Sequence, residues 1–225
     1  MIRAISRAIV AISLFIAGSP VHSCEIALAF AVDVSASITS RIYRSQLDGL
    51  AAAVRDPLIA SELERANASL TLVQWTGKHL QEVSIPWTPM RSAADVESFA
   101  VRTQQVPRAW RGTNTAIGAM LDFTNRVFDD APDCYRRVLD VSGNGPSNEG
   151  DPPETRRPAL VAAGITINAI VVDIEAKDLA GYYANNVIGG IGAFVITAED
   201  ISDYAEKMRQ KLFRELAIQM AASDR

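Results

Sequence analysis

The sequence predicts a doubly wound α/β fold in a single domain. The apolar runs Glu25–Val32 and Ile165–Val172 have the length and continuous hydrophobicity of strands buried on both faces of a parallel sheet. Helical segments lie between such runs, and this alternation is typical of a parallel sheet with helices on both faces. The chain has 225 residues, of which 48% are hydrophobic, and shows no internal repeat and no linker rich in proline, glycine or serine. One domain with a sizeable core is therefore expected.

The predicted elements alternate along the whole chain after a leader. Short apolar runs are expected to be strands. In Leu80–Ile85, apolar and polar residues alternate, so this strand is expected at an edge of the sheet. In order, the elements are a strand at Glu25–Val32, a helix at Thr39–Arg55, strands at Leu70–Trp75 and Leu80–Ile85, a helix at Ser92–Thr103, a helix opened by Thr113 or Thr115, a strand at Arg136–Val141, a short helix closed by Pro158–Ala163, a strand at Ile165–Val172, a helix at Leu179–Val187, a strand at Ala193–Ile196 and a helix at Asp200–Leu216.

The helices are predicted from spacing and from their end signals. Leu47, Leu50 and Val54 recur on one face of the first helix. The chain before Pro57 disfavours the helical conformation, so the first helix is expected to end there. Ser92 is followed three residues later by an acid, which resembles a capping box at the start of the next helix.

Residues 1–23 read as a secretory signal peptide. Arg3 and Arg7 precede an apolar run at Ala8–Ala17, which is too short to span a bilayer as a helix. The predicted division is a signal peptide at 1–23, a domain at 24–217 and a tail at 218–225. A retained N-terminal anchor and a lipid anchor on Cys24 are the alternatives. The mature chain is expected in the periplasm or outside the cell, with no transmembrane span.

Composition excludes several classes of function. The net charge is −4, whereas proteins that bind nucleic acid or anionic membranes need an excess of basic residues. His22 and His79 are the only histidines, which argues against histidine-rich zinc sites and a Ser-His-Asp triad. No nucleic-acid partner is expected.

Three loops carry oxygen-bearing side chains at the ends of predicted elements. The sequence DVSAS begins at Asp33 and directly follows the first strand, GTNT begins at Gly112 and enters a helix, and SGNG begins at Ser142 and directly follows the fourth strand. Sites in open α/β sheets form beyond the carboxyl ends of the strands. One carboxylate among several hydroxyls favours a hard cation such as Mg²⁺ or Ca²⁺ over zinc.

These three loops, in this order, resemble the metal-ion-dependent adhesion site of the von Willebrand factor type A family. The match consists of Asp33-x-Ser35-x-Ser37, then Gly112-Thr113, then Asn144-Gly145 after a strand. More narrowly, the phrases VDVSASI, LDVSGNGPSNEG and YYANNVIGGIGAF are similar to a bacterial exported subfamily described as a domain of unknown function. The resemblance covers Cys24 to Leu216.

The resemblance implies a six-stranded sheet in the order 3-2-1-4-5-6, with strand 3 antiparallel. It also implies a metal site at Asp33, Ser35, Ser37 and Thr113, with Thr115 as the alternative threonine and Asn144 where the family has an aspartate. The implied ion is Mg²⁺, or Ca²⁺ or Mn²⁺, held weakly because the amide lacks a charge. The implied activity is the binding of a protein partner through an acidic group.

Other readings of these residues remain open. Ser35, Ser37 and Thr113 are also typical helix-capping residues. Trp110, Arg111 and Thr115 are candidates for a partner-binding rim, although core packing is the favoured role for Trp110. Asp140 is predicted to be a buried structural acid with a polar partner, too far from Asn144 along the strand to share an ion.

Cys24 and Cys134 are predicted to form a disulfide. Cys24 lies nine residues before Asp33, and Cys134 lies ten before Asn144. If strands 1 and 4 are parallel neighbours, as the resemblance implies, the two cysteines meet at the ends opposite the site, within disulfide reach.

The leading hypothesis is a binding module of the cell envelope rather than an enzyme. A structural envelope protein with a vestigial metal site is the first alternative. A metal-dependent hydrolase is the second, and it is disfavoured because the site loops offer no good general base.

Overall fold

The computed structural model describes residues 24–111, 114–173 and 178–223, and the predicted signal peptide lies outside them. The strands are β1 (Cys24–Asp33), β2 (Ser69–Trp75), β3 (Gln81–Pro89), β4 (Cys134–Gly143), β5 (Ile165–Val172) and β6 (Val195–Ala198). The helices are α1 (Ser40–Arg55), α2 (Pro57–Arg65), α3 (Ala93–Gln105), α4 (Ile117–Val127), α5 (Pro153–Ala162), α6 (Leu179–Asn186) and α7 (Tyr204–Ser223), with a 3-10 turn at Phe128–Asp130.

The six strands form one sheet in the order β3-β2-β1-β4-β5-β6. β3 is antiparallel to β2, and every other neighbouring pair is parallel. The predicted fold class, strand order and antiparallel edge strand are thus confirmed. Because β1, β2, β4 and β5 run in parallel, their carboxyl ends meet at one edge of the sheet, here called the carboxyl edge.

Two apolar cores lie on opposite faces of the sheet. β1 alternates strictly between them, with Ile26, Leu28, Phe30 and Val32 in one core and the intervening alanines in the other. The first core includes residues of α1, α2, α3 and α7, and the second includes residues of α4, α5 and α6. This division explains the continuous apolar run, since both faces of the strand are buried. No helix among the described residues is both long and apolar enough to cross a membrane.

The structure differs from the helix predictions at two places, and capping explains the first of them. Pro57 does end α1, but it also occupies the first turn of an unpredicted helix, α2, where the Asp56 carboxylate accepts from the N–H groups of Leu58 and Ile59. Proline suits that position because its missing N–H would have no helical partner. Neither Thr113 nor Thr115 opens α4, which begins at Ile117. Ser92 does cap α3, as expected.

Two of the later elements, α7 and β6, have boundaries that differ from the predicted ones. α5 spans Pro153–Ala162 and ends within the segment predicted to close it. α7 begins at Tyr204 and continues to Ser223, past the predicted end at Leu216. β6 lies two residues later than expected, at Val195–Ala198.

The predicted disulfide is present at the edge opposite the carboxyl edge. Cys24 and Cys134 are paired residues in the parallel register of β1 and β4. Their Cα atoms are 4.5 Å apart, and both side chains are buried. The bridge therefore fastens the two central strands at their first residues.

A charged cluster is buried between β4, β5 and α7. The Lys211 ammonium lies 2.5 Å from Asp140 and 2.6 Å from Glu215, with all three side chains almost fully buried. Asn168 donates a 2.7 Å hydrogen bond to Glu215. Asp140 is thus a buried acid with a polar partner, as predicted, and it lies away from the loops at the carboxyl edge.

The cluster is almost fully buried, and this burial favours a proton on Asp140. Burial raises the pKa of Asp140 to about 7, the Glu215 carboxylate acts in the same direction, and Lys211 opposes it. A folded-state pKa above the unfolded one means that the stabilisation is complete below about pH 4 and is lost as the pH rises through 7.

We therefore expect the free energy of unfolding to fall between pH 5 and pH 7.5 by about 2 kcal/mol more in the native chain than in Asp140→Asn. The amide does not titrate, so the difference between the two pH profiles reports Asp140 together with its coupling to Lys211 and Glu215. Urea unfolding at the two pH values measures the difference. Parallel pH profiles for the two proteins would contradict the assignment of the raised pKa.

Candidate metal-binding site

Asp33, the last residue of β1, lies at the centre of the carboxyl edge. Its side chain is fully buried. Oδ1 accepts a 2.7 Å hydrogen bond from the N–H of Ser35, whereas Oδ2 is buried with no hydrogen-bond partner among the described residues. A buried carboxylate oxygen without a partner is costly unless a proton or a cation compensates it.

The pKa of Asp33 reflects the energetic cost of burying its negative charge. Burial raises the pKa to about 6, even though the hydrogen bond from the Ser35 N–H and the Arg108 guanidinium lower it. The carboxylate therefore lies in an environment in which a bound cation has much to compensate.

Two serines and an asparagine surround Asp33, as the sequence predicts. The Oγ atoms of Ser35 and Ser37 are 3.3 Å apart. The Ser37 hydroxyl donates a 2.7 Å hydrogen bond to Oδ1 of Asn144, 107 residues further along the chain. The turn after β1 and the loop after β4 are therefore in direct contact, because the two strands are parallel neighbours.

The threonine loop is fastened to the loop after β4. Thr113 lies outside the described residues. Thr115 is buried, its N–H donates a 2.8 Å hydrogen bond to Oδ1 of Asn148, and its carbonyl accepts a 2.8 Å hydrogen bond from the Asn148 N–H. The Ser147 hydroxyl also donates to the Thr115 carbonyl, at 3.2 Å. The sequence places Ser147 and Asn148 in a loop at the carboxyl edge but does not indicate that they bind the threonine loop.

Arg108 is a functional residue that sequence reasoning missed. Its Nη2 donates hydrogen bonds to the carbonyls of Val34, at 2.8 Å, and Ser35, at 2.9 Å. The guanidinium thereby ties the loop before the threonines to the turn after β1. No local pattern announces this contact, since the partners are more than 70 residues apart.

The two rim candidates differ in their surroundings. Trp110 is partly buried and packs against the core on the α1 side of the sheet, which is the favoured alternative for this residue. Arg111 is exposed. Among the described residues, Arg111 has neither a hydrogen bond nor an ion pair.

An open cleft of about 420 Å³ adjoins these residues. Ser37, Thr115 and Asn144 form its polar wall, and Ile42, Val172 and Leu179 contribute apolar surface. A group bound next to Asn144 and Ser37 would therefore have room for a neighbouring side chain.

The donor set fits a hard divalent cation. Asp33 supplies a carboxylate, Ser35 and Ser37 supply hydroxyls, and Asn144 supplies an amide oxygen, all of which are ligands that Mg²⁺, Ca²⁺ and Mn²⁺ accept. The orphaned Oδ2 of Asp33 is the observation that favours a cation over a purely structural role. The described residues contain no group of three or more histidine, cysteine or acidic side chains that could hold a metal ion. Any ion here would therefore depend on hydroxyl and amide oxygens.

A six-stranded sheet in this order, with one antiparallel edge strand, is a von Willebrand factor type A-like fold. The family model of a protein of unknown function, DUF1194, matches residues 23–220, and the chain belongs to that family. No curated protein matches the chain significantly.

Solved structures share this fold at low sequence identity. A von Willebrand factor type A protein from Catenulispora acidiphila is 15% identical with a TM-score of 0.61, covering 84% of this chain and 42% of its own. Proximal thread matrix protein 1 from the mussel byssus, with a zinc-occupied MIDAS motif, is 19% identical with a TM-score of 0.67, covering 87% of this chain and 48% of its own. The chain thus spans about half the length of these proteins.

A third structure matches over nearly its full length. An aerotolerance-related membrane protein from Bacteroides fragilis is 14% identical with a TM-score of 0.55, covering 84% of this chain and 99% of its own. At such identities the likeness shows the fold alone.

Proposed function

We propose that this chain is a metal-dependent protein-binding module of the cell envelope. The observation that carries the proposal is the meeting of Asp33, Ser35, Ser37 and Asn144 around a buried carboxylate oxygen that has no hydrogen-bond partner among the described residues. When bound, a divalent ion supplies a coordination position that an acidic group of a partner completes. A zinc-occupied MIDAS motif in the mussel protein supports the choice of a metal site on this fold.

Each residue has a definite part in this proposal. Asp33 supplies the negative charge, while Ser35, Ser37 and Asn144 supply neutral oxygens, and Thr113 or Thr115 supplies a further hydroxyl. Asn148 and Ser147 hold the threonine loop against the loop after β4. Arg108 holds the turn that carries the serines.

Binding is proposed rather than catalysis because the described residues around Asp33 include no histidine. The buried Tyr183 hydroxyl nearby already donates a 3.2 Å hydrogen bond to the Gly145 carbonyl. His79 lines a different cleft, together with Lys78 and Asp122. The disulfide supports an envelope location, since disulfides persist in oxidising compartments. The Bacteroides fragilis structure of similar fold is described as a membrane protein, which agrees with that location.

A retention experiment on envelope extract tests the proposal. The native chain, Asp33→Asn and the control Asp130→Asn are immobilised with Mg²⁺ and then washed with a chelator. We expect the native chain and Asp130→Asn to retain the same protein and to release it with chelator, and Asp33→Asn to retain none. Asp130 suits the control because it is an exposed acid shortly before β4, at the edge of the sheet that holds the disulfide and not at the carboxyl edge. Retention that is equal in Asp33→Asn and insensitive to chelator would favour a structural component with a vestigial metal site.

We expect Asn144→Asp to bind Mg²⁺ about tenfold more tightly than the native chain, because cation sites are tuned by the number of charged ligands. In the native chain, the weakly compensated ion and the partner carboxylate should raise each other's affinity by the same factor. Asn144→Asp should reduce that factor.

Mg²⁺ titration with and without partner measures both quantities. Asn144 precedes Gly145, so deamidation can produce an aspartate, and peptide mass spectrometry must first show an intact amide. Equal Mg²⁺ affinity of the native chain and Asn144→Asp would refute the charge argument.

A further inference from the structure

The segments of the site loops that contain Asp33, Arg108 and Asn144 carry more basic than acidic side chains. The two acids further along the loop after β4 are already engaged, since Glu149 accepts a hydrogen bond from the Lys78 N–H and Asp151 pairs with Arg156. In residues 33–39, 106–111 and 143–148, Asp33 is the single acid, and Arg108 and Arg111 are the two bases. Another acid, Asp173, lines the cleft from the β5 side, where its Oδ2 accepts a hydrogen bond from the Leu179 N–H. A divalent ion bound at Asp33 would add two positive charges near Arg108 and Arg111. A single carboxylate from a partner would neutralise only one of these two charges.

The two arginines have different tasks. Arg108 is engaged with the carbonyls of Val34 and Ser35. Arg111 is exposed and, within the described chain, makes no hydrogen bond or ion pair. The two guanidinium groups are close enough for Arg111 to lower the pKa of Arg108, second only to burial. Arg111 is therefore an available cation beside the site.

The segment that carries Arg108 is held on both sides of this residue by a buried glutamine. Gln74, in β2, accepts a 3.1 Å hydrogen bond from the Ala109 N–H and donates a 2.9 Å hydrogen bond to the Pro107 carbonyl. The chain is thus held two residues before Arg111, which reduces the entropy lost when this segment meets a ligand.

We propose that the ligand of this site is an acidic protein segment with two carboxylates, one completing the metal's coordination and the other pairing with Arg111. This inference rests on the proposed function and adds the second carboxylate to it. A guanidinium binds a carboxylate through two parallel hydrogen bonds, so the second acid contributes orientation as well as charge.

Short peptides test the inference directly. One peptide carries a single glutamate among glycines and serines, and a series carries a second glutamate one to five residues away. Affinities are measured in Mg²⁺ by NMR titration for the native chain, for Arg111→Gln and for the control Arg91→Gln. Arg91 is an exposed arginine beyond the end of β3, at the opposite edge of the sheet.

We expect the best two-acid peptide to bind the native chain and Arg91→Gln about three- to fivefold more tightly than the one-acid peptide, as an exposed ion pair allows. Arg111→Gln should bind both peptides equally, and chelator should abolish binding of both. The inference fails if Arg111→Gln still binds the two-acid peptide more tightly than the one-acid peptide, or if no spacing of the two glutamates improves binding to the native chain. In either case, metal-dependent binding of the one-acid peptide would leave the proposed function standing. Peptide binding that survives both chelator and Asp33→Asn would overturn the proposed function and this inference with it.

Discussion

Replacing Lys211 with methionine should destabilise the domain by about 3–5 kcal/mol at neutral pH, because it leaves buried carboxylates without their cation. The Lys211 ammonium contacts both Asp140 and Glu215, and it is fully buried. Methionine fills a similar volume, so the loss reports the charge rather than a cavity. Urea unfolding followed by circular dichroism measures it.

Lys207→Met is the matched control. Lys207 lies one turn earlier on α7 and is partly exposed, so its replacement should change stability by less than about 0.5 kcal/mol. Replacing Asp140, Lys211 and Glu215 together with apolar residues should recover much of the loss. A loss below about 1 kcal/mol for Lys211→Met would contradict the view that this cluster holds α7 to the sheet.

Removing the disulfide should have an effect of similar size. The bridge closes a sequence separation of 110 residues, for which the chain-entropy model gives about 4–5 kcal/mol. The Cys24→Ala/Cys134→Ala variant should lose that amount. Its sheet should keep the native strand order, since the register of β1 and β4 continues along both strands beyond the cysteines.

Reductant supplies the control for this experiment. The native chain should lose comparable stability when reduced, whereas the double alanine variant should not respond. A double variant as stable as the oxidised native chain would show that the bridge is not a major constraint on the unfolded state.

The positions that the sequence predicts best are those at the ends of strands. Asp33 and Asn144 follow neighbouring parallel strands, and the structure brings their loops into hydrogen-bond contact through Ser37. Because the same two strands are paired at their other ends, Cys24 and Cys134 meet there and form the disulfide. Strand ends are reliable because the register of parallel strands fixes them together.

Reasoning from local pattern was weaker where distant contacts decide. Asp140 was expected to have a polar partner, but nothing near it in sequence identifies Lys211, 71 positions later. Arg108 likewise acts on carbonyls that any residue would offer. The α2 helix was missed because Pro57 signals both the end of one helix and the start of the next.

The central claim is that a divalent cation binds at Asp33, and Mn²⁺ titration followed by electron paramagnetic resonance tests it most directly. We predict one saturable Mn²⁺ site in the native chain and in Asp130→Asn, displaced by excess Mg²⁺, with affinity reduced at least about 100-fold in Asp33→Asn because the charged ligand is lost. Thermal unfolding establishes that Asp33→Asn is folded. Equal Mn²⁺ affinity in the native chain and a folded Asp33→Asn, or no Mn²⁺ binding to the native chain at millimolar concentration, would contradict the account.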